Sequence, residues 1–256
     1  MEPIIEPRPV NLIEQELTSE RLLRRSNKAD NLIYVVDAHN SPNTMREIGR
    51  LREISFRSSG GGTGKSCDID EFDTMPNPCK QLLVWNPDKH EIIGAYRFIG
   101  GWDVDVRDGL PQIAMGHMFR FSDRFLNDIL PVTIELGRSF VRPEYQSTRE
   151  GVRALFALDN LWDGLGALTI VYPKVKYMFG KMTMYPSYDR ECVVVLAIVG
   201  RVGEDEVILH LVFVQEAENI GADDEQFFHV EFVSRLANES HAAKVLVDRH
   251  HFRTAS

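Results

Sequence analysis

The sequence predicts an α+β fold. Strand-like runs rich in β-branched and aromatic residues recur at 31–38, 81–85, 91–99, 135–141 and 174–184. Two amphipathic segments of helical period, 44–57 and 149–168, are interleaved with them. The turn signature Asn86-Pro87-Asp88-Lys89-His90 joins two of the strands as a hairpin.

Composition narrows the class. At 256 residues and 43% hydrophobic, the chain can build a real core. A formal charge of −9 argues against a nucleic-acid backbone as partner. No run reaches the ~18 apolar residues of a membrane helix; the longest, 192–200, reads as a buried element. Residues 1–9 are proline-rich and acidic, unlike a signal segment. Cys67, Cys79 and Cys192 have no metal-like spacing, and an odd, scattered set suits a reducing compartment. The expectation is a soluble cytoplasmic protein, with peripheral contact at the inner face of a membrane as an added option.

In chain order, 1–17 reads as a flexible arm and 17–27 as a basic helix with Arg21, Arg24, Arg25 and Lys28 at its end. Two readings stand for those cations: a solvated face, or contact with anionic lipid or an acidic carrier protein. These 30 or so residues form an N-terminal segment before a core over 31–190, with 191–256 as a separate C-terminal segment. After the strand at 31–38, Ser41-Pro42 gives a helix start with proline at the first helical position. Met45, Ile48, Leu51, Ile54 and Ser55 share one side of that helix, and Arg52 and Phe56 lie one turn apart.

Residues 58–80 read as a long polar loop. Its Gly60-Gly61-Gly62-Thr63-Gly64-Lys65-Ser66 approaches a phosphate-binding loop, but that motif needs glycine where Ser59 stands, a strand before and a helix after. A mobile, glycine-rich flap is the better reading. The acids that follow, Asp68, Asp70, Glu71 and Asp73, lack the calcium-loop pattern. They are solvated, or they receive a substrate amine or hold an arginine.

Arg97 sits near the end of the second hairpin strand. Residues 100–115 read as loop, His117 as structural, 119–121 as a short strand and 122–130 as a short helix. The central strand is bounded by Pro131 and by Arg142-Pro143, and it carries Glu135 and Arg138 three residues apart with Gly137 between them. A charged strand feeding a polar loop and a helix start is suited to chemistry, because amides there can hold an oxyanion. Leu155, Leu158, Leu161, Trp162 and Leu165 read as core contacts of the following helix. Gly180 marks a bulge or close approach in 174–184. A further strand-like run spans 207–214, and the polar last 25 or so residues carry His241, His250 and His251 without ligand spacing.

The order strand, helix, loop, hairpin, charged strand, loop-helix, strand resembles the GNAT-type acyltransferase core. Arg52 with Phe56, the Asp70/Asp73 pair, Gly94-Ala95-Tyr96-Arg97, Glu135-Leu136-Gly137-Arg138-Ser139 and Phe179-Gly180-Lys181 fall in the order of one branch of it. They resemble the hemolysin-like N-acyltransferases that make ornithine and glycine lipids, and the related acyl-homoserine lactone synthases. The resemblance covers about residues 32–190. It implies an α/β/α sandwich with a mixed central sheet. It also implies transfer of a (3-hydroxy)fatty acyl group to the α-amine of glycine or ornithine, the first step of N-acyl aminolipid synthesis. The loop 146–151 departs from the coenzyme A pyrophosphate motif, which implies acyl carrier protein as thioester donor and no further cofactor or metal.

A free amine must be neutral to attack a thioester, so the site needs a base and good positioning. Glu135 is expected as base or amine anchor. Arg138 is expected to orient Glu135 or to bind the substrate carboxylate. Asp70 and Asp73 are expected to pair with Arg52 or Arg97. Phe56, Ser139 and the amides of 139–141 complete the expected substrate and oxyanion contacts. Docking an acidic carrier needs a local basic patch, for which Arg142, Arg149 and Arg153, then Lys174 and Lys176, are candidates. Phe56, Phe98, Phe140, Phe179 and Trp162 either line an acyl tunnel or pack the core. The rival readings are a lactone synthase, which would need an S-adenosylmethionine pocket, and a non-catalytic lipid- or partner-binding relative.

Overall fold

The computed structural model describes residues 1–117, 119, 121–146, 152–183, 193–201, 206–215 and 227–235, with side chains of 152–155 and of 181 onward outside the description. The fold is α+β on a mixed central sheet, as expected. The chain forms two compact units, Met1–Ile99 with Asp103–Asp105 and Leu136–Lys174, and Gly100–Trp102 with Val106–Glu135 and Val175–Ser256.

The first unit starts with helix α1 (Val10–Glu16), strand β1 (Leu22–Arg25) and strand β2 (Leu32–Val36). The expected arm over 1–17 is tied down: the Glu2 amide donates to Gly64 O at 2.8 Å and the Ile5 amide to Ser66 O at 3.1 Å. The expected basic helix over 17–27 is instead β1, antiparallel to β2, with Arg24 opposite Ile33 and Arg25 opposite Leu32. The cause lies far along the chain. Arg24 pairs with Asp163 at 3.0 Å and Lys28 with Asp159 at 2.8 Å. The cations answer acids of this unit's own last helix.

Helix α2 (Pro42–Ser58) follows. Ser41 makes no side-chain cap. Glu16, at the end of α1, caps it instead, accepting from the amides of Asn43 at 2.9 Å and Thr44 at 2.7 Å. Burial alone would raise the Glu16 carboxyl, but these donors outweigh it and hold it below its usual range. Met45, Ile48 and Leu51 sink into a core shared with Ile13, Tyr34, Val36, Leu83, Trp85, Ile92, Ala95 and Phe140.

Within the expected loop over 58–80 sits a four-residue helix, α3 (Glu71–Thr74). It exists because Asp70 and Asp73 form a reciprocal capping box around its start. The hairpin strands β3 (Lys80–Asn86) and β4 (Glu91–Gly100) pair antiparallel, with Gln81 opposite Arg97. In this unit the strand order is β1-β2-β3-β4 and then β7 (Thr133–Val141), whose residues from Leu136 on belong to it. Gly94 admits that neighbour: a Cβ there would stand 2.5 Å from Phe140 O. Helix α4 (Val152–Val171) buries Ala157, Leu161, Leu165 and Leu168. The expected core contacts Leu158 and Trp162 point the other way, 47% and 57% exposed, because the buried residues recur at helical spacing on the opposite phase.

The second unit carries the two-residue strands β5 (Val106–Arg107) and β6 (Leu110–Pro111), where loop was expected, and a π-turn over Phe125–Ile129. Phe119 and Phe121 lie outside any strand. Their rings join Phe125 and Phe179 in a chain of contacts at 6.4, 5.0 and 6.0 Å between centroids. Strands β8 (Tyr177–Thr183), β9 (Val193–Arg201), β10 (Glu206–Gln215) and β11 (Phe227–Arg235) form an antiparallel meander. Gly180 pairs in register with Ala197, so the expected bulge is absent. No helix among the described residues is long and apolar enough to cross a membrane. His241, His250 and His251 lie outside the described residues.

Candidate active site

Four elements of the first unit bring three arginines onto three aspartates. Arg52, on α2, is fully buried and donates to Asp73 Oδ2 at 3.0 Å, Gln81 Oε1 at 2.5 Å and the Asp68 carbonyl at 3.3 Å. Gln81 in turn donates to Asp73 Oδ1 at 3.0 Å. Arg97, on β4, reaches both oxygens of Asp70 at 2.6 and 2.7 Å and Asp73 at 3.4 Å, and it lies over the Phe72 ring. Arg138, on β7, places Nη2 3.3 Å from Asp70 and 3.4 Å from Asp68.

The electrostatics follow from this packing. Burial would raise the Asp70 carboxyl, but the hydrogen bonds and charge of Arg97, with Arg138 behind it, hold it down to about 2. For Asp68 burial wins, and its carboxyl lies above the ordinary range despite Arg138 and Arg52. The Asp73 and Arg97 side chains are 0% and 5% exposed, against 31% for Arg138, so Arg138 is the open member of the set.

Arg138 also carries φ +48°, the left-handed region, within a strand. A non-glycine residue there costs about 1–2 kcal/mol. A Cβ at neighbouring Gly137 would make only an ordinary contact with Arg97 Nε, 3.9 Å away. The backbone thus turns the Arg138 side chain against the local strand preference and onto the acids.

Of the expected site residues, Arg52, Asp70, Asp73, Arg97 and Arg138 come together. Phe56 instead packs against the core of its unit, and Ser139 is solvent-exposed. Arg142 is balanced by Glu91 at 2.6 Å and Glu144 at 3.3 Å. Arg149 and the side chain of Arg153 lie outside the described residues. In the second unit, Glu135 is 6% exposed and accepts from the amides of Ala114 at 3.3 Å and Met115 at 3.0 Å. Sequence reasoning did not single out Gln81, and it named Asp68 only as one of the four acids that are solvated, receive an amine or hold an arginine. The hairpin register opposite Arg97 was the available signal for Gln81. Asp68 stood in the acidic run, with nothing there to mark its burial.

The glycine-rich loop is occupied from within. Buried Glu53 accepts from the amides of Thr63 at 3.0 Å and Gly64 at 2.8 Å, from the Thr63 hydroxyl at 2.6 Å, and from Arg57 at 2.6 Å. A carboxylate of α2 therefore takes the amides a phosphate would need, and it pins the expected flap. Among the described residues, no group of His, Cys, Asp and Glu could hold a metal ion.

Residues 51–155 match the family model of the acetyltransferase (GNAT) domain. The chain is 62% identical over 191 residues to the glycine N(alpha)-acyltransferase of Bacteroides thetaiotaomicron, covering 74% of this chain and 57% of that protein. It is 59% identical over 192 residues to the glycine N(alpha)-acyltransferase of Phocaeicola vulgatus, covering 75% of this chain and 59% of that protein. The chain thus spans less than two thirds of the length of these curated relatives. No solved structure matches it.

Proposed function

We propose that this chain, with its match to the acetyltransferase (GNAT) domain over residues 51–155 and its likeness to two glycine N(alpha)-acyltransferases, is a GNAT-type N-acyltransferase that moves a fatty acyl group from a thioester to the α-amine of glycine. The observation that carries this reading is Arg138. Its guanidinium is the exposed one of three, it is held in a strained backbone, and among the described residues only its Nη2 is engaged. The remaining donors are free to take a small carboxylate in a forked pair. Aspartates 3.3 and 3.4 Å away favour a positive group at the other end of the same molecule. A cation-anion pair a few ångströms apart is the signature of an α-amino acid. Glycine is preferred over ornithine because both relatives are named for it.

The donor in this reading is a (3-hydroxy)fatty acyl group on acyl carrier protein, and the product is the first intermediate of an N-acyl aminolipid. Arg52, Asp73 and Gln81 act from beneath by fixing Arg97 and Asp70. The amides of 139–141 are the assigned oxyanion donors. Carrier docking falls to cations other than Arg142, whose charge is already matched.

Purified protein incubated with acyl carrier protein thioester and isotope-labelled glycine, ornithine or S-adenosylmethionine decides the matter by mass spectrometry. N-acylglycine is the expected product. A homoserine lactone would make the chain a lactone synthase instead, and no acylated product with any acceptor would make it a binding module.

A further inference from the structure

Asp68 is the one acid of the constellation whose chemistry is unspent. Its side chain is 2% exposed. Its Oδ1 faces Arg138 at 3.4 Å, yet its Oδ2 is buried and has no hydrogen-bond partner among the described residues. An orphaned buried carboxylate oxygen is costly, on the order of 1–3 kcal/mol or more, and a native site keeps one where a ligand satisfies it. The backbone is built to put it there. Gly49 of α2 lets the chain cross at close range: a Cβ would stand 2.7 Å from Cys67 Sγ and from the Ile69 side chain. The Asp68 amide donates to Gly49 O at 3.0 Å.

We propose that Asp68 binds the ammonium of the acceptor amino acid through Oδ2 and removes its proton. This rests on the acyl-transfer reading above and deepens it. The acceptor's carboxylate pairs with Arg138. The two contacts of Arg138 to Asp70 and to Asp68 Oδ1, at 3.3 and 3.4 Å, are long for ion pairs, so an incoming carboxylate can draw the guanidinium away and leave the Asp68 carboxylate to the ammonium.

The proton balance closes without another reagent. One N–H proton passes to the Asp68 carboxylate, leaving a neutral amine and a carboxylic acid. The amine lone pair attacks the thioester carbon, forming the C–N bond. The tetrahedral adduct collapses with cleavage of C–S, and the leaving thiolate takes the second nitrogen proton. Asp68 then returns its proton to solvent.

The surroundings make Asp68 a stronger base than an ordinary carboxylate. Arg138 from β7 and Arg52 from α2 face Asp68 and favour its charged form. Asp70 and Asp73 on α3 oppose them, and burial tips the balance upward. Glu135, the other carboxylate expected to serve, has both oxygens engaged by the amides of Ala114 and Met115.

The test compares wild type with Asp68→Asn, using an acyl carrier protein thioester and two nucleophiles, glycine and hydroxylamine. Hydroxylamine is already neutral at pH 7 and needs no base. Asp68→Asn should lose about 10²–10⁴-fold in kcat with glycine at neutral pH, recover part of it as pH rises, and match wild type with hydroxylamine. A variant with wild-type kcat and pH profile on glycine overturns the proposal, as does an equal loss on both nucleophiles. Should the variant not fold, the wild-type profile decides: kcat must fall as pH is lowered through a group titrating above the ordinary carboxylate range, and a kcat that stays flat until that ordinary range is reached overturns the assignment. If wild type acylates neither nucleophile, the acyl-transfer reading itself fails, a result distinct from activity that ignores Asp68.

Discussion

Replacing Arg52 by methionine keeps most of the side-chain volume and removes one buried charge. Arg52 and Asp73 are both 0% exposed and 3.0 Å apart, so Asp73 would keep only the weaker contact with Arg97 at 3.4 Å, besides Gln81 and the Asp70 amide. Breaking such a pair from one side costs about 3–5 kcal/mol, since the orphaned charge stays out of water. In a chain of this size about 2–4 °C of melting temperature accompanies each kcal/mol, which gives a drop on the order of 10 °C. Trp85 reports on it directly, being 4% exposed in the core of the same unit. Urea titration followed by its fluorescence should show the loss. The double variant Arg52→Met/Asp73→Leu should lose less than the sum of its parts, because it leaves no uncompensated charge between α2 and α3. A single variant within about 1 kcal/mol of wild type would show that the buried network does not support the fold, and that the positioning role given to Arg52 is mistaken.

The Asp70 carboxyl, held at about 2 against an ordinary 3.8, contributes stability that is present above the ordinary value and is lost as pH falls toward 2. Acid titration should show a loss of about 2 kcal/mol in that window, and Asp70→Asn should flatten it. Gly94→Ala would drive a methyl to 2.5 Å from the Phe140 carbonyl, a backbone atom that cannot swing aside. It should cost about 1–3 kcal/mol by thermal melting. Arg138→Gly relieves the +48° φ but leaves the buried Asp68 without its ion-pair partner, so its melting temperature should change by no more than a few degrees while N-acylglycine formation falls at least about 100-fold. Coincident loss of stability and activity in that variant would undo the idea that the strain serves the reaction.

The sequence made the elements with local signals legible and hid those fixed from a distance. The hairpin from Gln81 to Ile99 and the helix carrying Arg52 announced themselves by period, turn residues and Pro42. The segment around Arg24 did not, because its conformation answers Asp159 and Asp163, more than a hundred positions on. On α4 the expectation held at Leu161 and Leu165 and failed at Leu158 and Trp162, for a related reason. The helix is apolar on both sides, with Ile170 77% exposed, and only packing reveals which side is covered. At the site, the order of arginines and acids was readable, whereas their partners were not. That Asp73 sits under Arg52, and that Asp68 ends buried with an unmatched oxygen, depend on the close crossing at Gly49.

The carboxylate that closes the amino end of α2 comes from Glu16, not from the helix's own leading residue. Shortened versions of this protein that begin after residue 16 would leave the amides of Asn43 and Thr44 to water and unsettle the scaffold that aims Arg52. The same cut would release the Ser66 amide from Glu2, 2.8 Å away, and so loosen the glycine-rich loop as well.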